Sequence, residues 1–281
     1  MRELLDLTRE LADKELRPEV DAAEREGRFP REAFRLLGRS GLLGLPYPEE
    51  YGGGGQPYEL YLQVLEVLAS RWVAVAEAVS VHTLACYPVA TAGTDEQRKR
   101  FLPDQLGGEL LGAYCLSEPQ GGSDAAALTT RAVRDDDEYV VTGTKAWITH
   151  AGAADFYTIM VRTSDDGSRG VSCLLADAAT PGLTVAPLEH KMGLTGSPTA
   201  QLILDGARIG IERRMGAEGD GLKMALDALN SGRLGIAACA VARYCESSRK
   251  PPRKRRNSPP SRVSGGAGGG ASGRSCPTGS S

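Results

Sequence analysis

Residues 113–128 read AYCLSEPQGGSDAAAL, and residues 145–152 read KAWITHAG. The first stretch starts as an apolar strand edge and turns polar at Ser117. Ser117, Gly121, Gly122, Ser123 and Asp124 offer hydroxyls and open backbone N–H groups. Glycine lets a flat ring or a phosphate approach the main chain. An isolated loop of this kind is more often a solvated turn. In the second stretch, a Trp beside a Thr at a strand end can wall a ring and donate one hydrogen bond to it. A lone Trp there is more often core.

Working outward, the upstream pattern is helical. Leu4, Leu7 and Leu11 recur at spacings of three and four, as an amphipathic helix requires. FPREAFRLLGRSG at 29–41 reads as a second helix opened by Pro30, with Phe34 and Leu37 on one face and Gly38 or Gly41 as its stop. LPYPEEYGGGGQP at 45–57 is a loop. Leu60, Val64, Leu65 and Leu68 mark a third helix. WVAVAEAVSVHTLACYPVA at 72–90 is apolar on nearly every face, which predicts a buried helix. Thr94 with Gln97 forms a capping-box pattern opening a helix through Phe101 and Leu102. Residues 1–110 are therefore expected to be an all-helical domain.

Downstream, the pattern becomes one of short strands. RAVRDDDEYVVTGTKAWIT reads as two strands joined by an acidic turn at Asp135 to Asp137. FYTIMVRT, GVSCLLAD, GLTVAPLEH and TAQLILDGARI follow at short spacings, which predicts a small sandwich or barrel over 111–212. Residues 219–242 return to helix period, with Leu222, Ala225, Leu226 and Leu229 on one face. Gly232 and Gly235 weaken that helix by about 1 kcal/mol each relative to alanine. Segment 213–242 reads as the first helix of a further helical bundle. The order is a segregated α+β arrangement. No strand–GxGxxG–helix or Walker A unit is present, which argues against a Rossmann or P-loop site.

Composition sets further bounds. The 281 residues are 41% hydrophobic and 25% charged, ordinary values for a globular chain able to bury a core. The charged opening MRELLDLTRELADKEL lacks an apolar signal core, and no charge-free run of eighteen apolar residues occurs. A cytoplasmic protein without a membrane partner is expected. Six cysteines without a CxxC pair or a His cluster predict free thiols and no metal site. His82, His150 and His190 are expected to be ordinary surface or loop residues. The net charge of −3 is uneven: nine Lys or Arg against Glu246 give 243–281 a charge of +8, so residues 1–242 carry −11. With no Leu, Ile, Phe, Met or Trp, segment 243–281 is expected to be a disordered basic tail.

Together, in this order and on this architecture, the two opening stretches resemble the acyl-CoA dehydrogenase family. C-L-S-E-x-x-G-G-S-D at 115–124 and the Trp-Ile-Thr triplet at 147–149 carry the resemblance. EEYGG at 49–53 and DGARI at 205–209 are similar to further family landmarks. The resemblance extends from residue 1 to about 242. It implies FAD held against the β domain, with Tyr114, Leu116 and Ser117 lining the flavin and Gly122 and Ser123 continuing that wall. Ser123 would also touch the acyl-CoA. Trp147 would pack on the ring, and Ile148 and Thr149 would meet it near the hydride-accepting nitrogen. Ser197 would meet the CoA portion, and Asn230, Ser231 and Arg233 would border the acyl thioester. The implied reaction is α,β-dehydrogenation of an acyl-CoA. Electron-transferring flavoprotein is the implied acceptor, and a homo-oligomer built through the C-terminal bundle is the family's state. An acyl-CoA oxidase-like flavin enzyme is the alternative on the same fold.

The sequence also departs from the family pattern. The usual base is a Glu in a C-terminal segment of the Y-E-G-T type, which has no counterpart here. Some members place it one residue before the position of Arg233, where this chain has Gly232. R-x-x-F-G and Q-x-x-G-G segments are missing as well. No catalytic residue is therefore assigned, and a truncated or frameshifted member, inactive as this chain, is expected. After AACAVA the chain reads RYCESSRKPPRKRRNSPP. In GC-rich codons, RKPPRKRR read one frame over can encode Glu-Ala-Ala-Ala-Glu-Ala-Ala, a strong helix former. A non-catalytic protein using the basic tail on nucleic acid or anionic membrane is a further alternative. Tyr244 is the tail's single aromatic, too little for base stacking, so no nucleic-acid partner is expected.

Overall fold

A computed structural model describes residues 2–249, with side chains described through Ala242. The helical part comprises α1 (Arg2–Leu11), α2 (Val20–Glu26), α3 (Arg31–Arg39), α4 (Tyr58–Arg71), α5 (Val73–Ala92) and α6 (Asp95–Leu106). A π-helical turn, Ala12–Leu16, extends α1. The sheet part comprises β1 (Gly112–Cys115), β2 (Arg131–Asp135), β3 (Glu138–Thr149), β4 (Phe156–Arg162), β5 (Val171–Asp177), β6 (Leu183–Val185), β7 (Thr199–Gly210) and β8 (Arg214–Met215). Helix α7 (Gly221–Arg249) follows. This is the segregated α+β order that the hydrophobic pattern predicts.

Local chemistry accounts for most boundaries. Thr94 and Gln97 form a reciprocal capping box at the start of α6. Pro30 stands one position before α3 rather than within its first turn. The turn between β2 and β3 places Asp136 at φ +51°, a left-handed position that Asp tolerates. In α1 the inward stripe is Leu4, Leu5, Thr8 and Leu11, while Leu7 faces out at 53% exposure. The Thr8 hydroxyl donates to the Leu4 carbonyl at 2.7 Å, which lets a Thr sit in the interior. Helix α2 has no counterpart among the expected elements. It ends on Gly27 at φ +64°, a left-handed cap.

The strands form one eight-stranded sheet in the order β6-β7-β3-β2-β4-β5-β8, with β1 pairing parallel to β4. Tyr139, Val141, Leu202 and Leu204 of β3 and β7 share a buried cluster with Tyr157, Ile159 and Leu174 of β4 and β5. The expected sandwich or barrel is thus a continuous sheet whose arms enclose a common core. Strand β8 completes it at Arg214–Met215, just past the expected limit of residue 212.

Helix α5 is long and apolar enough by composition to cross a membrane, but it is largely buried within the fold. Helix α7 crosses it at close range. A Cβ on Gly235 would stand 2.5 Å from Ser80 Oγ, and one on Gly232 would stand 2.8 Å from Leu84 Cδ1. The two glycines that lower α7's helix propensity are what permit this approach. Leu226, grouped by periodicity with Leu222, Ala225 and Leu229, is 44% exposed. Together with Leu234, Ile236 and Val241, it gives α7 an apolar outer side. The helix runs to Arg249, seven residues past the expected boundary at Ala242, because the first proline is Pro251. The segment from Lys250 onward, with most of the expected basic tail, lies outside the described residues.

Two histidines expected at the surface are core residues. Each ring is fully buried, and together they clamp Gly112, where the helical part meets the sheet. The Gly112 N–H donates to His82 Nδ1 at 2.9 Å, so His82 Nε2 carries the proton and donates to the Gln105 carbonyl at 2.8 Å. His150 Nδ1 donates to the Gly112 carbonyl at 2.8 Å. Burial lowers His82 to about 3 and His150 to about 4, so both rings are neutral. A Cβ on Gly112 would stand 2.3 Å from the Phe156 ring. Such a junction leaves no room for any residue but glycine.

Candidate functional site

The loop after β1 is a tight turn closed by two backbone bonds, Glu118 N–H to Gly121 O at 2.8 Å and Gly121 N–H to Glu118 O at 3.0 Å. Beyond it, Gly122 and Ser123 are exposed. A Cβ on Gly122 would lie 3.9 Å from Ser117 Oγ. This part of the loop is therefore open to a planar ligand. Arg162 fixes the segment that follows, donating to the carbonyls of Leu128 (3.0 Å) and Ala126 (2.6 Å).

The two stretches that the sequence singled out are joined directly. Ala146 N–H donates to Ser117 O at 2.9 Å. Beneath that bond, Lys145 Nζ meets Glu118 Oε1 at 2.7 Å and the Leu116 carbonyl at 3.2 Å. Both charged side chains are essentially fully buried. Glu118 also accepts from the N–H groups of Thr129 (2.6 Å) and Thr130 (2.9 Å), the Thr129 hydroxyl and the Gln120 amide. Burial alone would raise its carboxyl. The Lys145 charge and these donors outweigh burial and hold it at about 2. Burial lowers Lys145, with Glu118 opposing. A single ion pair thus ties the two stretches together. Lys145 was not singled out from sequence. The available signal was a charged residue at an inward position of β3, opposite the apolar register partner Leu202.

Strand β3 breaks register against β7 between Lys145 and Ile148. At this bulge Trp147 adopts φ +60° and is 66% exposed. A bulky residue with positive φ is strained, and such strain concentrates at ligand sites. The bulge turns the indole out onto the surface beside the loop instead of into the core. The Ile148 side chain points the other way, into the sheet's interior, so only its backbone faces outward. A contact from Ile148 on this face would therefore come from its backbone. The Leu116 side chain is likewise buried, in the cluster between sheet and helices.

The remaining candidates lie on two further walls. Tyr114 donates to the Ala225 carbonyl at 3.3 Å, tying β1 to α7. Asn230 and Arg233 are exposed on α7 and bond each other at 3.3 Å, while the Ser231 carbonyl accepts from the Tyr58 hydroxyl at 2.8 Å. Ser197 is fully buried, with its hydroxyl unpartnered, and lines a recess with Glu24, Lys191 and Thr195. Thr149 is half-buried and donates to Glu77 Oε1 on α5 at 3.3 Å.

A cavity of about 250 Å³ lies between the 46–48 loop, α5 and α7, lined by Tyr47, Tyr58, Leu84, Tyr87 and Ala228 among others. Tyr47 donates to the Thr83 carbonyl at 2.5 Å, and Tyr58 donates to Ser231. With these hydroxyls engaged, the walls turn mainly carbon toward the space.

Among the described residues no cluster of His, Cys, Asp and Glu suits a metal ion. Cys86, Cys115, Cys173 and Cys239 are buried free thiols.

Residues 1–109 match the model of the acyl-CoA dehydrogenase N-terminal domain, and residues 113–207 match that of the middle domain. An acyl-CoA dehydrogenase of Bacillus subtilis is 38% identical over 237 residues, covering 84% of this chain and 62% of that protein. The mitochondrial isobutyryl-CoA dehydrogenase of Dictyostelium discoideum is 37% identical, covering 83% of this chain and 56% of its own length. The structure of butyryl-CoA dehydrogenase from Megasphaera elsdenii superposes with a TM-score of 0.82 at 34% identity, covering 86% of this chain and 64% of that one. A probable acyl-CoA dehydrogenase from Mycobacterium abscessus gives a TM-score of 0.84 at 35% identity, covering 88% and 66%. The chain spans about three-fifths of the length of the curated relatives it matches.

Proposed function

The chain belongs to the acyl-CoA dehydrogenase family, and from that premise we propose that its β wall holds FAD and its α5–α7 side receives an acyl-CoA thioester. The observation that carries this reading is the ion-paired junction of Ser117–Glu118 with Lys145–Ala146, which brings both signature stretches to one surface. The local features fit a flavin: an open glycine turn, an indole turned outward by a strained bulge, and the Thr149 hydroxyl beside it. Ser117, Gly122, Ser123, Trp147 and Thr149 would hold the ring, with Tyr114 behind them and Ile148 contributing backbone.

Bound FAD supplies the redox chemistry of α,β-dehydrogenation. This chain's residues bind and orient. The cavity between α5 and α7 seats the acyl chain by excluding water from carbon walls. Ser231 lines its α7 side, and Asn230 and Arg233 are exposed on the same turn, where the thioester would lie. Gly232 places no carboxylate beside Arg233, so no catalytic base is assigned among these residues. Electron-transferring flavoprotein is the proposed acceptor for the family reaction.

The test is a titration of the purified full chain with FAD, followed by flavin fluorescence, and an assay with short acyl-CoA substrates and an artificial electron acceptor. Measurable FAD binding without turnover is expected. Binding that S117A and T149V leave untouched would sink the flavin reading. Turnover would show that a base is present after all.

A further inference from the structure

Glu77 is a carboxylate that the proposed chemistry does not use. It projects from the second turn of α5, a helix otherwise nearly free of charge. One oxygen receives the Thr149 hydroxyl at 3.3 Å. The other, Oε2, is buried without a hydrogen bond, as is Ser197 Oγ beside it. The remaining groups facing it are Lys191 from the β6–β7 connection, Glu24 from α2 and Cys239 from α7. Glu24 is committed elsewhere: it accepts from the Trp72 indole at 2.8 Å and from the N–H of Thr195 at 2.8 Å. Lys191 donates to the Ser197 carbonyl and approaches Glu77 only as a distant charge. The one hydrogen bond formed to Glu77 is that from Thr149; the Ser197 hydroxyl stands near enough to bear on the carboxyl without forming one. Burial raises the carboxyl above its ordinary value, and the Ser197 hydroxyl, the Lys191 charge and the Thr149 hydroxyl offset this only in part.

A threonine hydroxyl has one hydrogen to give. If Thr149 meets a ring nitrogen that accepts, that hydrogen leaves Glu77. An ionised Glu77 would then lose its only formed hydrogen bond in a buried setting, which is costly. A protonated Glu77 avoids the cost, because its own O–H donates to Thr149 Oγ1 while Thr149 donates to the ring. We propose that Glu77 is a positioning residue that competes with bound oxidised flavin for the Thr149 hydrogen, coupling proton binding on α5 to flavin binding on the β wall. This rests on the reading of Thr149 as a flavin contact. The coupling is reciprocal: flavin favours the protonated carboxyl, and the protonated carboxyl favours flavin.

The full chain, labelled with carboxyl-¹³C glutamate, tests this by NMR, with Glu77 assigned by the resonance lost in E77Q. Its titration midpoint is expected above the ordinary value of about 4.3. T149V should move the midpoint up, because a donor to the charged form is lost, and T149S should restore it. Oxidised FAD should also move it up. The sign for affinity follows: FAD binding to the wild type weakens about five-fold as pH rises through the Glu77 midpoint, while E77Q shows no such step. A midpoint indifferent to T149V, or one FAD–pH profile shared by both proteins, overturns the positioning role and leaves the flavin reading intact. A wild-type chain that binds no FAD at any pH overturns the flavin reading and this proposal with it.

Discussion

Glu118 accepts five hydrogen bonds, one of them from Lys145, and its carboxyl is held at about 2. Glu77 accepts one, from Thr149, and burial drives its carboxyl upward. Both carboxylates meet the strand that carries Trp147, yet they have opposite surroundings. The difference separates construction from function. A buried charge with every lone pair engaged fixes geometry and has little left to offer a ligand. A carboxylate with one weak partner can change its proton with what binds beside it.

The strongest way to break the comparison is to strip Glu118 of its cation. K145M should cost about 3–5 kcal/mol in urea unfolding, since it leaves an uncompensated buried charge. The double variant E118Q/K145M should recover a substantial part of that loss. If K145M unfolds like the wild type, the ion pair is not what joins the two stretches.

Acid provides the next largest effect. A histidine whose folded value is depressed stabilises fully above its unfolded value of about 6.5, and that stability is lost as pH falls. For His82 and His150 the loss runs from about 6.5 down through about 4 and then about 3. It reaches on the order of 3–5 kcal/mol per ring once pH lies below both values. Glu118 adds little above pH 4, because its stabilisation fades as pH falls from the ordinary carboxylate range through about 2. Thermal unfolding from pH 7 to 4 should therefore show a steep decline that H150Q reduces.

Glu77 should show the reverse slope at smaller amplitude. A carboxyl raised in the folded state stabilises below its unfolded value and loses that contribution as pH rises through the folded one. E77Q should accordingly be more stable than the wild type at pH 8 by about 1 kcal/mol, with the gap closing toward pH 4. A gap that widens in acid would place Glu77 with Glu118 as a structural ion. The smallest effect serves as a control remote from both: T94A removes an exposed cap of α6 and should cost about 0.5 kcal/mol at any pH.

Periodicity proved most legible where one side of an element faces solvent. The capping box at Thr94, the Asp135–Asp137 turn and the strand run after Gly112 all follow from local rules of hydrogen bonding and side-chain alternation. It failed where contacts between elements decide. Leu7 and Thr8 exchanged places because the stripe of α1 faces α4 at an angle that spacing alone does not give. His82 and His150 read as polar and therefore external, but each ring completes a bond to Gly112 that exists only when helix and sheet meet. Ile148 sat inside the signature, yet the bulge beside Trp147 turned its side chain inward.

From sequence alone came the family, the helix–strand–helix order and the two stretches that meet at Ser117 and Ala146, because those depend on residue types at fixed local spacing. Only the tertiary structure decided that Lys145 joins the stretches, that two neutral histidines clamp the domain junction and that Glu77 stands beside Thr149. Each of these depends on the charge, burial and hydrogen-bond supply of a site assembled from distant segments. A one-dimensional pattern carries no measure of those quantities until the chain has folded.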